Sequence, residues 1–166
     1  MKTQRKRRNE RKTDYGKRVK LLKSNTPRLV FRKTNRYVNA QYVESREAQD
    51  KVLLGINSKK LLEYGWPKEF EGSLKSIPAC YLTGFLIGKE ILNKKLSTPI
   101  IDFGMIRNLH KTKTYAFLKG LIDSGVKIKT NKEKDIFPNE ERLKGSHLKK
   151  DFSKKFMEVK SKIDKK

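Results

Sequence analysis

The sequence predicts an α/β fold: a mixed β-sheet of a three-stranded meander plus one further strand, with helices packed on it and basic extensions at both ends. Three observations carry this reading. First, Pro27 to Val43 (PRLVFRKTNRYVNAQYV) alternates with period two on either side of Thr34-Asn35-Arg36. Leu29 and Phe31 fall on one face, with Arg28, Val30 and Arg32 on the other. Val38, Ala40 and Tyr42 alternate with Tyr37, Asn39, Gln41 and Val43. That is the pattern of a half-buried strand pair closed by a tight turn. Second, Ala79, Leu82, Leu86, Ile87 and Ile91 recur at helical spacing. Third, Thr98 to Gly104 (TPIIDFG) is a short apolar run bounded by Pro and Gly. Because it follows a long helix, it is expected to pair parallel with an earlier strand through a crossover.

The elements follow in order. Residues 1–26 read as a basic arm with a short helical stretch from Tyr15 to Lys23, broken at Ser24-Asn25-Thr26-Pro27. After the hairpin, Glu44 to Asp50 is polar and acidic and reads as a loop. Lys51 to Asn57 is a third strand, apolar enough to be central in the sheet. Ser58 is placed to cap a short helix to Glu63, stopped by Tyr64-Gly65-Trp66-Pro67. Residues 68–75 read as a loop. Ser76 is the expected N-cap of a helix from Ile77 to Lys94, with Pro78 in its first turn. Gly84 and Gly88, one turn apart, mark a close approach of another backbone. The strand Thr98–Gly104 is expected to be buried, and Met105 to Thr112 is a basic loop. A second helix runs from Lys113 to Ser124, with Tyr115, Leu118, Leu121 and Ile122 inward and Gly125 as its left-handed cap. Lys149 to Ile163 places Phe152, Phe156, Val159 and Ile163 on one helical side, a pattern equally open to disorder without a partner. The chain thus divides into an arm (1–26), a mixed α/β core (27–126) and a basic C-terminal extension (127–166).

Charge directs the functional reading. The 166 residues carry a net charge of +24, far beyond what solubility needs, which points to a polyanionic partner. The excess sits at the ends. Residues 1–36 hold 15 Lys and Arg against 2 acids, net +13, and residues 127–166 hold 14 against 7, net +7. Residues 37–126 hold 13 against 9, net +4, an ordinary globular balance. A single cysteine, Cys80, permits no intrachain disulfide and reads as a small core residue. No apolar run is long enough to span a membrane, and MKTQRKRRNERK lacks the apolar core of a secretory signal.

Catalytic motifs are missing: there is no Walker loop, HExxH, CxxC or GxSxG. His110 and His147 stand far apart with no third soft ligand, so no metal or other cofactor is expected. A β-meander followed by helix, strand and helix also suits a ribonuclease H arrangement, which holds metals on clustered carboxylates. The acids available are Glu90, Asp102 and Asp123, but Arg28 and Arg32 stand where the first strand should carry one. A metal-dependent nuclease is therefore disfavoured against an RNA-binding protein. The basic clusters support the latter. Arg5, Lys6, Arg7, Arg8, Arg11 and Lys12 make an arginine-rich arm, suited to bidentate phosphate contacts and base stacking. Arg107, His110, Lys111 and Lys113 precede the second helix, whose free N–H groups add to their attraction for phosphate. Tyr37 is balanced between sheet packing and RNA stacking.

Several stretches carry a resemblance. Asp14 to Ser24 (DYGKRVKLLKS), including Lys17 and Arg18, resembles the basic lead-in of a ribosomal protein family. Pro27 to Arg36 resembles its PRLVVRKSN hairpin. Tyr64-Gly65-Trp66 and Ile77 to Gly84 (IPACYLTG) resemble its YGW and PAAYLTG segments. Leu118 to Gly125 (LKGLIDSG) resembles ALKGALDAG, and Pro138 to His147 its PxEERIxGxHI tail. The chain is similar to the archaeal form of the universal large-subunit ribosomal protein "L eighteen", related to the eukaryotic "L five". The departures are Cys80, where the family usually has Ala, the lysine-rich segment 108–114, and the stretch after Leu148. The resemblance implies a non-enzymatic, ribonuclease H-like core without the nuclease metal site. It implies a cytoplasmic place in the large ribosomal subunit, clamping 5S rRNA against 23S rRNA at the central protuberance beside neighbouring ribosomal proteins. By the same resemblance the arm and the hairpin positions Arg28, Arg32, Lys33, Asn35 and Arg36 are expected to touch 5S rRNA. The competing class is a general basic nucleic-acid-binding protein.

Overall fold

The structure is a computed structural model that describes residues 5–10, 13–47, 49–107, 109–128, 136–148 and 152–165. Its elements are α1 (Lys6–Asn9), α2 (Tyr15–Leu22), β1 (Arg28–Lys33), β2 (Val38–Arg46) and β3 (Gln49–Asn57), then α3 (Ile77–Asn93), β4 (Ile100–Asp102), α4 (Lys113–Asp123), α5 (Glu140–Lys144) and α6 (Phe152–Asp164). Two 3-10 turns, Ser58–Leu62 and Lys68–Ser73, bridge β3 and α3.

The hairpin forms as its alternation requires. β1 and β2 pair antiparallel with Leu29 opposite Tyr42 and Phe31 opposite Ala40, all fully buried. Thr34 closes the turn, its amide and hydroxyl both donating to the Tyr37 carbonyl at 2.9 Å. β2 and β3 complete the antiparallel meander, and β4 joins β1 in parallel, so the sheet is mixed with strand order β3-β2-β1-β4.

That order corrects three expectations. Glu44 to Asp50 is no loop, since β2 continues to Arg46 and β3 restarts at Gln49. A bulge at Tyr42/Val43 lets the polar ends keep pairing. β3 is an edge strand and not a central one, which is why Val52 stands half exposed despite its apolar neighbours. β4 is a three-residue edge strand, half-buried at Ile100 and Ile101.

One face of the sheet carries Leu29, Phe31, Val38, Ala40, Tyr42, Leu54 and Ile56 into the core with α3 and α4. α3 starts as its sequence dictates: Ser76 accepts the Ala79 amide and Pro78 sits where no N–H is needed. It is buried nearly all round, as an apolar helix enclosed by several elements must be. A Cβ on Gly84 would overlap the Phe117 carbonyl, one on Gly88 the Ser124 hydroxyl, and one on Gly120 the Tyr81 carbonyl. The glycines therefore let α3 and α4 touch backbone to backbone.

The inward face of α4 is Ala116, Phe117, Leu118, Gly120 and Leu121; Tyr115 and Ile122, expected inward, are only half-buried. The reason is the glycine contact, which rotates the helix so that Gly120 faces α3. Ser58 does not cap the turn after β3. Asn57 does, through its side chain to the Lys59 amide, while the buried Ser58 hydroxyl accepts the Val38 amide at 3.0 Å. Residues 68–73, read as loop, form a 3-10 turn.

The C-terminal stretch supplies Leu143, Phe152, Phe156, Val159 and Ile163 to the same core cluster. Phe152 meets Trp66 at 5.3 Å and Phe70 at 5.0 Å between ring centroids, and Phe156 meets Tyr81 at 5.7 Å.

Candidate nucleic-acid interface

Among the described residues, the second face of the sheet carries no large helix. α2 lies on it, with no residue of its own buried. Asp14 caps α2 by accepting the Lys17 amide at 3.2 Å, and its other oxygen pairs with Arg8 at 2.9 Å. The Lys17 amide, with the Arg8 charge, holds the Asp14 carboxyl below the usual carboxylate range. Lys17 Nζ donates to the Gly104 carbonyl at 3.1 Å, and Arg18 reaches Asp50 of β3 at 2.9 Å. The helix is thus held mainly by polar ties to β3 and to the turn after β4.

Beneath α2 lies a cavity of about 240 Å³ lined by Arg7, Lys17, Arg18, Arg28 and Arg32, with Asp14, Asp50 and Asp102 between them. Cations expected separately from arm, helix and hairpin are therefore one cluster. They are not equivalent. Arg28 is only 4% exposed, and its guanidinium is spent on Asp50 (2.8 Å), Ser45 (2.9 Å) and Asp102 (3.7 Å). In the free chain it is a buried structural arginine, whereas the cations exposed at the hairpin turn are Lys33 and Arg36. Arg32 Nη1 donates to the Phe31 and Asp102 carbonyls at 2.8 Å and Nη2 to the Asp102 carboxylate at 3.0 Å, yet its side chain stays 43% exposed. Burial works against the ionised form of Asp50, but the Ser45 hydroxyl and the Arg28 and Arg18 charges outweigh it and hold the carboxyl below its ordinary range.

The acids weighed for a nuclease are tied elsewhere. Asp102 accepts from Arg32 and the Gly104 amide (2.7 Å), Glu90 pairs with Lys60 at 2.9 Å, and Asp123 accepts the Tyr81 hydroxyl at 2.8 Å. Among the described residues no three His, Cys, Asp or Glu gather as a metal site would need.

Topology brings the remaining predicted residues together. β1 and β4 run in parallel, so the hairpin turn and the loop after β4 leave the sheet at the same end. Gly104 abuts the Arg32 guanidinium, and Arg8 reaches Met105 Sδ at 3.8 Å. Lys33, Asn35 and Arg36 are exposed at the turn, and Arg107 and Lys111 are exposed in the loop. Lys113 opens α4, and its charge and that of Lys33 both act on the Cys80 thiol, which burial pushes up to about 12. The thiol is accordingly inert. Tyr37 is half-buried against the core. Arg5 stacks over Tyr15 at 4.9 Å, whereas Arg11 lies outside the described residues. Sequence reasoning missed Asp50 and Asp102 as the groups that organise the cluster; both are lone acids whose partners lie on other strands.

Residues 1–100 match the family described as "Ribosomal large subunit proteins 60S L5, and 50S L18". The chain is 40% identical over 142 residues to large ribosomal subunit protein uL18 of Korarchaeum cryptofilum, covering 86% of this chain and 70% of that protein. The chain belongs to that family. Large ribosomal subunit protein uL18 of Methanoculleus marisnigri is 43% identical over 142 residues, covering 86% of this chain and 78% of its own length. That of Methanosphaera stadtmanae is 40% identical over 147 residues, 89% of this chain and 73% of its own. These relatives are ribosomal proteins, so membership favours assembly over catalysis.

Proposed function

We infer that this protein is a structural, non-enzymatic constituent of the large ribosomal subunit in the cytoplasm, where it binds 5S rRNA and attaches it to 23S rRNA at the central protuberance beside neighbouring ribosomal proteins. Family membership supports the assembly. One observation carries the RNA reading: cations from the arm, the hairpin turn and the loop after β4 converge on one end of the sheet. Phosphate contacts there supply most of the affinity, and shape and unpaired bases supply selectivity. The contact set is Arg5, Arg7, Arg8, Lys17, Arg18, Arg32, Lys33, Asn35, Arg36, Tyr37, Arg107, Lys111 and Lys113, with Arg11 added from sequence alone. Arm (1–26), core (27–126) and extension (127–166) serve as RNA clamp, scaffold and buttress. The strand order β3-β2-β1-β4, with β4 parallel to β1, suits a ribonuclease H-like core.

The test is the triple variant K33A/N35A/R36A. All three side chains are exposed, so Tm should hold while 5S rRNA affinity falls roughly tenfold or more. The slope of log K against log salt should shrink by about 1.4 for two lost phosphate contacts. Unchanged affinity in filter binding removes the hairpin from the interface. Equal affinity of the native chain for random duplex DNA replaces the reading with a general nucleic-acid binder.

A further inference from the structure

The outer side of α2 carries an apolar stripe, half-buried at Tyr15 and Leu22 and exposed at Val19. Tyr15, Val19 and Leu22 stand at i, i+4 and i+7 and share one face of the helix. The opposite side faces the sheet, where Lys17 bonds Gly104 and Leu21 lines the cavity with Val30, Val43 and Val52. Val19 is 51% exposed. With Arg7, Thr13 and Arg18 the stripe lines a separate groove of about 380 Å³.

Two guanidiniums that line this groove, Arg7 and Arg18, are already held in place, and a third lies over the Tyr15 ring. Arg5 lies 4.9 Å from the Tyr15 ring centroid, Arg7 Nε donates to Thr13 Oγ1 at 3.1 Å, and Arg18 Nη2 donates to Asp50 at 2.9 Å. An apolar floor beneath positive walls, in a stretch of net +13 over residues 1–36, selects an occupant that is both planar-apolar and anionic. An unstacked nucleotide is that: its base has an apolar face suited to aromatic and guanidinium stacking, and its phosphates match arginine forks. An apolar protein segment would satisfy the floor but would leave the rim charge unanswered.

We propose that the groove between Tyr15, Val19 and Leu22 takes one unpaired nucleobase of the bound ribosomal RNA, stacked in line with Arg5 and Tyr15, with its flanking phosphates on Arg7 and Arg18. This deepens the RNA-binding reading above and rests on it. α2 is then a second recognition element, apart from the hairpin turn.

The test is ultraviolet crosslinking of intact large subunits carrying the full chain, with the adducts located by peptide mass and RNA sequencing. The expected result is a nucleotide adduct on Tyr15, the RNA end identifying 5S or 23S rRNA. Val19→Glu, which puts a carboxylate on the groove floor, should abolish that adduct while adducts in residues 33–37 persist. Val19→Leu should retain both. Subunits with the hairpin crosslinked but Tyr15 bare, or Tyr15 joined to a protein, overturn the groove and leave the RNA reading intact. A chain that never co-sediments with large subunits overturns both.

Discussion

Arg28 and Arg32 occupy the same face of one strand, two positions apart in the alternation, yet they do different work. Arg28 sits between Asp50 of β3 and Asp102 of β4, under α2, and is buried. Arg32 shares Asp102 but opens to solvent at the hairpin end. Nothing in the spacing separates them, because the acids come from strands far off in sequence. Breaking a buried pair strands the partner charges, so Arg28→Ala should cost about 3 kcal/mol, or roughly 6–12 °C in Tm. Arg36→Ala, at an exposed turn position, should move stability by no more than about 0.5 kcal/mol. Thermal melts of the two variants check this. Comparable losses would show that Arg28 is not the structural arginine its burial indicates.

At the scale of elements, helix starts and the hairpin were legible because they rest on local chemistry: a capping serine before a proline, a period of two, an Asn-containing turn. Facing and order were less so. α4 turns Gly120 toward α3 instead of Tyr115, since the helices approach until backbone meets backbone. Gly84→Ala should therefore be costly despite the better helix propensity of alanine. Its Cβ would overlap the Phe117 carbonyl, a backbone atom that cannot rotate away. The expected loss is about 2 kcal/mol, against a gain near 1 kcal/mol expected at an open helical site. Urea denaturation of Gly84→Ala decides the sign, and a stabilised variant would mean that the helices separate freely.

For the whole molecule, the C-terminal helix is the element that composition undervalued. The sequence left a one-sided helix and disorder equally open there; the helix forms, and Phe152, Phe156, Val159 and Ile163 complete the core around Trp66, Phe70 and Tyr81. Lys160 lies over both the Tyr81 and Phe85 rings at 5.3 Å, and Lys89 pairs with Asp164 at 2.5 Å, so even the charged side of α6 is tied to α3. Phe152→Ala should cost about 4 kcal/mol by cavity formation and lost ring contacts. A melt within a degree of the native protein would place α6 outside the cooperative unit.

The amino-acid order alone was enough for the α/β class, the hairpin and its turn, the long central helix and the basic character of the two ends. These depend on neighbours within a few residues, where periodicity, capping and charge density act directly. It was also enough to mark the arm, the turn and the loop before α4 as cationic. It did not say that they converge, that β3 lies at an edge, or that one arginine of the row is locked inside. Those outcomes depend on which strands lie side by side and on two acids, Asp50 and Asp102, arriving from opposite edges of the sheet. Strand order is settled by competition among apolar faces for one core, and charge pairing then follows the geometry that competition leaves.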